Sequence, residues 1–159
     1  MARLLWLSVL VIVLDQVSKF WIMATFEDYE VLEIWPVFNL TLVYNTGAAF
    51  SFLSDAGGWQ RWLFIGLGGL VSLGMVVWLT RLRDGERLTG FGLALIVGGA
   101  IGNVIDRVWL GRVVDFLQWH WHDWYWPSFN VADSAITLGV ALLLIDGLFA
   151  RNRARDRNS

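Results

Sequence analysis

The sequence holds 159 residues, of which 57% are hydrophobic and 16% charged, with a net charge of −2. Soluble domains average about 45–50% apolar and about 25% charged residues, so this composition points to a lipid-facing surface and to one domain over residues 1–159. The absence of cysteine excludes disulfides, thiolate metal sites and a cysteine nucleophile.

In chain order, four stretches reach the roughly 20 mostly apolar residues that cross a bilayer. The first, residues 4–22, runs past Asp15 to Trp21 and Ile22 with no small-residue cleavage site behind it. It therefore reads as a retained helix rather than a signal peptide. The loop 23–58 carries Glu27, Asp28, Glu30, Glu33 and Asp55 and no lysine or arginine. Within it, Glu30–Ile34 and Val37–Tyr44 are strand-like. The second alternates Phe38, Leu40, Leu42 and Tyr44 with Val37, Asn39, Thr41 and Val43. Asn45-Thr46-Gly47 reads as a turn, with residues 48–52 returning as a further strand. The second span covers 59–80. The loop 81–87 holds Arg81, Arg83 and Arg87, and the third span covers 88–110. After the loop 111–130 comes the fourth span, 131–150, and a basic tail with Arg151, Arg153, Arg155 and Arg157. The expected fold is a mainly α membrane protein of four transmembrane helices, with a small outer β-sheet between helices one and two.

Arginine and lysine collect in short cytoplasmic loops. Both termini and the loop 81–87 are thus expected in the cytoplasm, and the loops 23–58 and 111–130 face outward. The tail reads as a topology anchor, not a nucleic-acid site. Trp21, Trp35, Trp59, Trp62, Trp109, Trp119, Trp121, Trp124 and Trp126 fall at or beyond the outer span ends, where amphipathic indoles favour the headgroup zone. Arg107 and Arg112 lie on the outer side against the trend and need partners.

Ionisable residues inside spans are costly and are functional candidates by default. Asp15 and Lys19 share a face of helix one, either as an ion pair locking the helices or as support for a nearby site. Asn103, Asp106 and Arg107 share the last turns of helix three. Arg107 is expected to pair with Asp106 or with Asp15. Asp115 follows helix three in Val113-Val114-Asp115-Phe116, and Asp133 opens helix four in Phe129-Asn130-Val131-Ala132-Asp133-Ser134. Asn130 as N-cap with Asp133 at N3 would explain the second acid by capping alone, yet a capped side chain still reacts. Both acids fall at one depth. If a loop folds back to unite them, one keeps a proton, and the pair can hydrolyse an amide by acid–base catalysis. Asp133, at a helix N-terminus, is the expected ionised member. His120 and His122 beside Asp123 suggest a metal only weakly; their tryptophan neighbours favour interface residues. No motif for a phosphate, dinucleotide or zinc ligand is present, so no metal or cofactor is expected.

These stretches, with Asp15-Gln16-Val17-Ser18-Lys19, Tyr44-Asn45-Thr46-Gly47-Ala48-Ala49-Phe50-Ser51 and Gly98-Gly99-Ala100-Ile101-Gly102-Asn103-Val104-Ile105-Asp106-Arg107, resemble the five motifs of the lipoprotein signal peptidases over nearly the whole chain. The resemblance implies an inner-membrane aspartyl endopeptidase that acts as a monomer at the periplasmic face. It implies cleavage of prolipoproteins just before a diacylglyceryl-modified cysteine, among membrane lipid. It assigns Asp115 and Asp133 as the catalytic pair. Asn45, Gly47, Asn103, Arg107 and Asn130 become substrate-binding or site-supporting residues, with Asp15, Lys19 and Asp106 behind them. Without it, a small transporter or proton-conducting protein with a relay of Asp15, Lys19, Asp106 and Arg107 ranks nearly level. A non-catalytic anchoring protein is the third reading.

Overall fold

The structure, a computed structural model, describes residues 1–47 and 57–156. The strand expected over 48–52 lies outside the described residues. Four helices are long and apolar enough to cross a membrane: α1 (Leu5–Thr25), α2 (Trp59–Arg81), α3 (Arg87–Trp109) and α4 (Val131–Asp156). Four strands form one antiparallel sheet in chain order: β1 (Val31–Trp35), β2 (Phe38–Asn45), β3 (Val113–Trp121) and β4 (Trp124–Tyr125). The sheet thus draws half its strands from the loop between α3 and α4, beyond the expected pair between α1 and α2.

Helix α3 is central. Half of its span is buried inside the protein, against 11% for α2. Glycines make this possible, because α1 and α4 press against its backbone. A Cβ at Gly98 would stand 2.7 Å from Val11 Cβ, and one at Gly102 would stand 2.6 Å from Asp15 Oδ2. One at Gly99 would collide with the carbonyl oxygen of Ala132 in α4. The other helices keep large apolar side chains, such as Val17, Leu70 and Leu148, exposed on their outer faces, as helices bathed in lipid do.

The chain leaves α3 through Gly111, whose φ of 77° is the left-handed conformation that ends helices and suits glycine. It then runs directly into β3. Strand β3 pairs with β2 through Asn45↔Val113, Tyr44↔Val114 and Val43↔Asp115, with an irregularity between Leu40 and Val43. A core of Ile22, Phe26, Leu42, Val114 and Phe116 seals the sheet onto the top of α1. After β4 the chain folds back: Phe129 bridges Leu117, and the Phe116 N–H donates to the Phe129 carbonyl at 2.9 Å. That return sets Asn130 and the start of α4 beside Asp115.

Candidate active site

Construction of the site starts below it, among charges that lipid cannot solvate. Lys19 lies 2.8 Å from Asp15 on its own helix and 2.8 Å from Asp106 on α3. All three are buried, with 1%, 0% and 2% of their surfaces exposed. Two carboxylates around one ammonium leave a negative excess, which further donors offset. Asp15 accepts the Ala132 backbone N–H at 2.9 Å in the first turn of α4. Asp106 accepts the Val114 N–H at 3.1 Å near the start of β3. The Gln16 amide donates to both acids, at 3.1 and 2.9 Å. This network therefore ties α1 and α3 to the beginnings of the two elements that carry Asp115 and Asp133.

Lys19 also donates to Asn103 Oδ1 at 3.1 Å. An ammonium has no acceptor, so the carboxamide of Asn103 must turn its oxygen toward it. The NH2 end then faces Asp133, donating to Oδ1 at 2.8 Å. Asn130 joins the two acids. Its Nδ2 donates to Asp115 Oδ1 at 2.8 Å, its Oδ1 accepts the Asp133 N–H at 2.9 Å, and its own N–H donates to Asp133 Oδ2 at 3.3 Å. The last two bonds are the reciprocal pair of a capping box, with aspartate in the N3 place. Asn45, across the β2–β3 ladder, donates to Asp115 Oδ2 at 3.2 Å, and its Oδ1 accepts the Gly47 N–H at 2.9 Å.

Burial pushes the Asp115 carboxyl up to about 7, and the charge of Asp133 pushes the same way. Hydrogen bonds from Asn45 and Asn130 and the charge of Lys19 pull it back. Asp115 lies outside the spans, so water rather than hydrocarbon is the reference for that shift.

Arg107 does not pair with Asp106 or Asp15, as the sequence suggested; Lys19 has taken both. Its guanidinium donates to the Gly47 carbonyl at 2.7 Å and to the Asn103 carbonyl at 3.2 Å, with the Phe64 ring 5.1 Å away. Its buried Nε has no hydrogen-bond partner among the described residues. The arginine thus pins the chain just after β2 to α3.

Both acids open into one cavity of about 950 Å³. Asn45, Asn103 and Arg107 line it with them, and so do Trp119 and Trp124 of the sheet, Trp126 just after β4, and Ser134, Thr137, Leu138 and Ala141 of α4. Asn130 lies fully buried between the acids. Gly47 sits behind Arg107. Asp15, Lys19 and Asp106 are outside the cavity wall and form a closed network beneath it. The relay of a transporter gains nothing from this arrangement, because Lys19 and fixed N–H donors already engage both Asp15 and Asp106.

Sequence reasoning missed Gln16, the tryptophan wall and the α4 stripe. Gln16 adjoins a flagged acid, and Trp119 shares strand parity with Asp115, so signals existed for both. His120 and His122 face a smaller cavity with Pro36, Val37 and Tyr125. Among the described residues no group of three histidine or carboxylate side chains is placed to hold a metal ion.

Known proteins resemble this chain in sequence and in fold. Residues 7–149 match the family model described as signal peptidase (SPase) II. The lipoprotein signal peptidase of Pseudoalteromonas atlantica is 55% identical over 144 residues, covering 91% of this chain and 88% of that protein. The lipoprotein signal peptidase of Pseudomonas aeruginosa is 54% identical, covering 89% and 85%. Among solved structures, a bacterial membrane enzyme determined by the in meso method at 2.3 Å resolution superposes with a TM-score of 0.86 at 30% identity, covering 96% of this chain and 92% of that one.

Proposed function

The chain belongs to the signal peptidase II family, and on that premise we propose that it is an aspartyl endopeptidase. In this reading it removes signal peptides from prolipoproteins, cutting just before a diacylglyceryl-modified cysteine. Asp133 is the base and Asp115 the acid. The helix N-terminus favours negative charge at Asp133, while burial keeps a proton on Asp115 up to about pH 7. The Asp133 carboxylate takes a proton from water as its oxygen attacks the scissile carbonyl, and Asp115 gives its proton to the carbonyl oxygen. Collapse of the resulting diol breaks the C–N bond: one diol O–H returns its proton to Asp115, the proton held by Asp133 passes to the leaving amine, and both acids regain their starting states.

One observation carries this reading: Asn130 holds both carboxyl groups at once, Asp115 by its side-chain NH2 and Asp133 by its backbone N–H, while its side-chain oxygen accepts the Asp133 backbone N–H. Helices α2 and α4 both pack on α3 without extensive contact with each other, which leaves a lateral way in for a precursor's membrane helix. One chain supplies both acids and the cavity wall, in keeping with a monomer. In this reading the site faces the periplasm from the inner membrane and both termini are cytoplasmic, which the arginines of the short α2–α3 link support.

The test is a gel-shift assay with a lipidated prolipoprotein and the purified protein in a chelator. Asp115→Asn and Asp133→Asn should each insert, fold and lose cleavage by a factor of about 10³ or more. Near-normal turnover in either variant sinks the pair; wild-type activity abolished by the chelator sinks the metal-free mechanism.

A further inference from the structure

The acids sit between the two ends of their cavity. On α4, Thr137, Leu138 and Ala141 lie one to two turns beyond Asp133, about 6–12 Å deeper into the bilayer. On β3, Trp119 lies four residues beyond Asp115 on the same strand face, about 13 Å away along the sheet. Trp124 and Trp126 complete that end, with rings 5.8 Å apart and edge to face. The Trp126 N–H donates to the Trp119 carbonyl at 2.8 Å, which fixes the wall to β3. All three indoles are 43–58% exposed, so they are not serving a core.

Resting on the peptidase reading above, we propose that Trp119, Trp124 and Trp126 form a subsite for the ester-linked glycerol of the diacylglyceryl group and select lipidated precursors. The signal helix and the acyl chains both lead down into hydrocarbon, where the α4 stripe lies. The glycerol diester and the mature chain remain for the headgroup end. Mature sequences differ from one precursor to the next, whereas the diester is constant. Three rigid rings with apolar faces and N–H edges fit a fixed group that is part hydrocarbon and part ester. They offer little to a variable peptide, which needs backbone partners.

The experiment compares two internally quenched peptides of one sequence, one carrying an S-diacylglyceryl cysteine and the other an S-hexadecyl cysteine that lacks the glycerol diester. Wild type should favour the diester through KM. Trp124→Ala and Trp126→Ala should each raise KM for the diester substrate about 10-fold with kcat within about twofold, raise KM for the S-hexadecyl peptide by about twofold at most, and so remove most of the preference. Trp126→Phe should restore most of it. A thermal midpoint in detergent close to that of wild type reports that the variant is folded; if alanine lowers it sharply, Trp124→Leu and Trp126→Leu take its place. An unaltered KM overturns the subsite, as does an equal rise on both substrates or a rise that depends on the residues after the cysteine. Wild type that cleaves neither peptide overturns the peptidase reading itself, whereas active wild type with indifferent variants overturns the subsite alone.

Discussion

Asp115 is a carboxyl deprived of water, and its behaviour with pH follows from what replaces the water. Its proton is held to about pH 7 instead of 3.8, first by burial and then by the charge of Asp133. If it acts as the acid, activity is present below that value and is lost as pH rises through about 7. The alkaline limb of a kcat profile measures it, and the absence of any such limb near pH 7 would count against the assignment. Asn45 donates to the charged form, so Asn45→Ala removes a bond that lowers the value and should move the limb upward by roughly one pH unit. The same shift affects stability. The contribution of Asp115 to folding is complete below the unfolded value of 3.8 and is lost as pH passes about 7.

Lys19 acts through its neighbours. Lys19→Met would leave Asp15 and Asp106 buried without their cation and free Asn103 to turn its oxygen toward Asp133. Removing one member of a buried charge group typically costs about 3–5 kcal/mol. A fall in thermal midpoint in detergent, with residual activity lost in the folded fraction, is the expected outcome. A variant as stable as wild type would show that the network is not holding the helices.

At the scale of elements, the distance between α3 and α4 sets where Asp133 stands. An added methyl at Gly99 strikes the Ala132 carbonyl and comes within 2.8 Å of Ile136 Cγ1, and neither the carbonyl nor a packed β-branched side chain yields easily. Gly99→Ala should push the first turn of α4 outward, cost about 1–3 kcal/mol by overpacking and lower kcat more than it raises KM. Gly69→Ala on α2 is the control, because its Cβ would meet nothing within 4 Å; there the helix gains about 0.5–1 kcal/mol and activity stays. Equal effects from both would refute the packing argument. The spans were legible because lipid demands long apolar runs, and the structure moves their ends by only a few residues, save that α4 continues into the basic tail. Strand β3 was not legible. Its burial runs through Val113, Val114, Asp115 and Phe116 without alternation, since both faces are covered, and its partner Asn45 is 70 residues from Asp115. The candidate site was legible as a set of residue types at one depth. The bridging by Asn130 and the capture of both buried acids by Lys19 depend on which helices touch, which local pattern does not encode.

At the scale of the whole molecule, charge and shape make separate statements about orientation, and they can be tested together. Arg81, Arg83 and Arg87 flank the short link between α2 and α3, while the loop after α1 carries acids and no lysine or arginine. The positive side is expected to be the cytoplasmic one, which would put the sheet and both candidate catalytic acids outside. The protein has no cysteine, and single replacements therefore report position without background. Asp28, Asp84 and Asp123 are all exposed and lie in the β1 approach, the α2–α3 link and the β3–β4 turn. In intact spheroplasts a membrane-impermeant maleimide should label Asp28→Cys and Asp123→Cys at once, and Asp84→Cys only after lysis. Labelling of Asp84→Cys before lysis would invert the protein. It would put the two acids on the side where no lipid-modified precursor presents its cleavage point, and the proposed reaction would have no substrate.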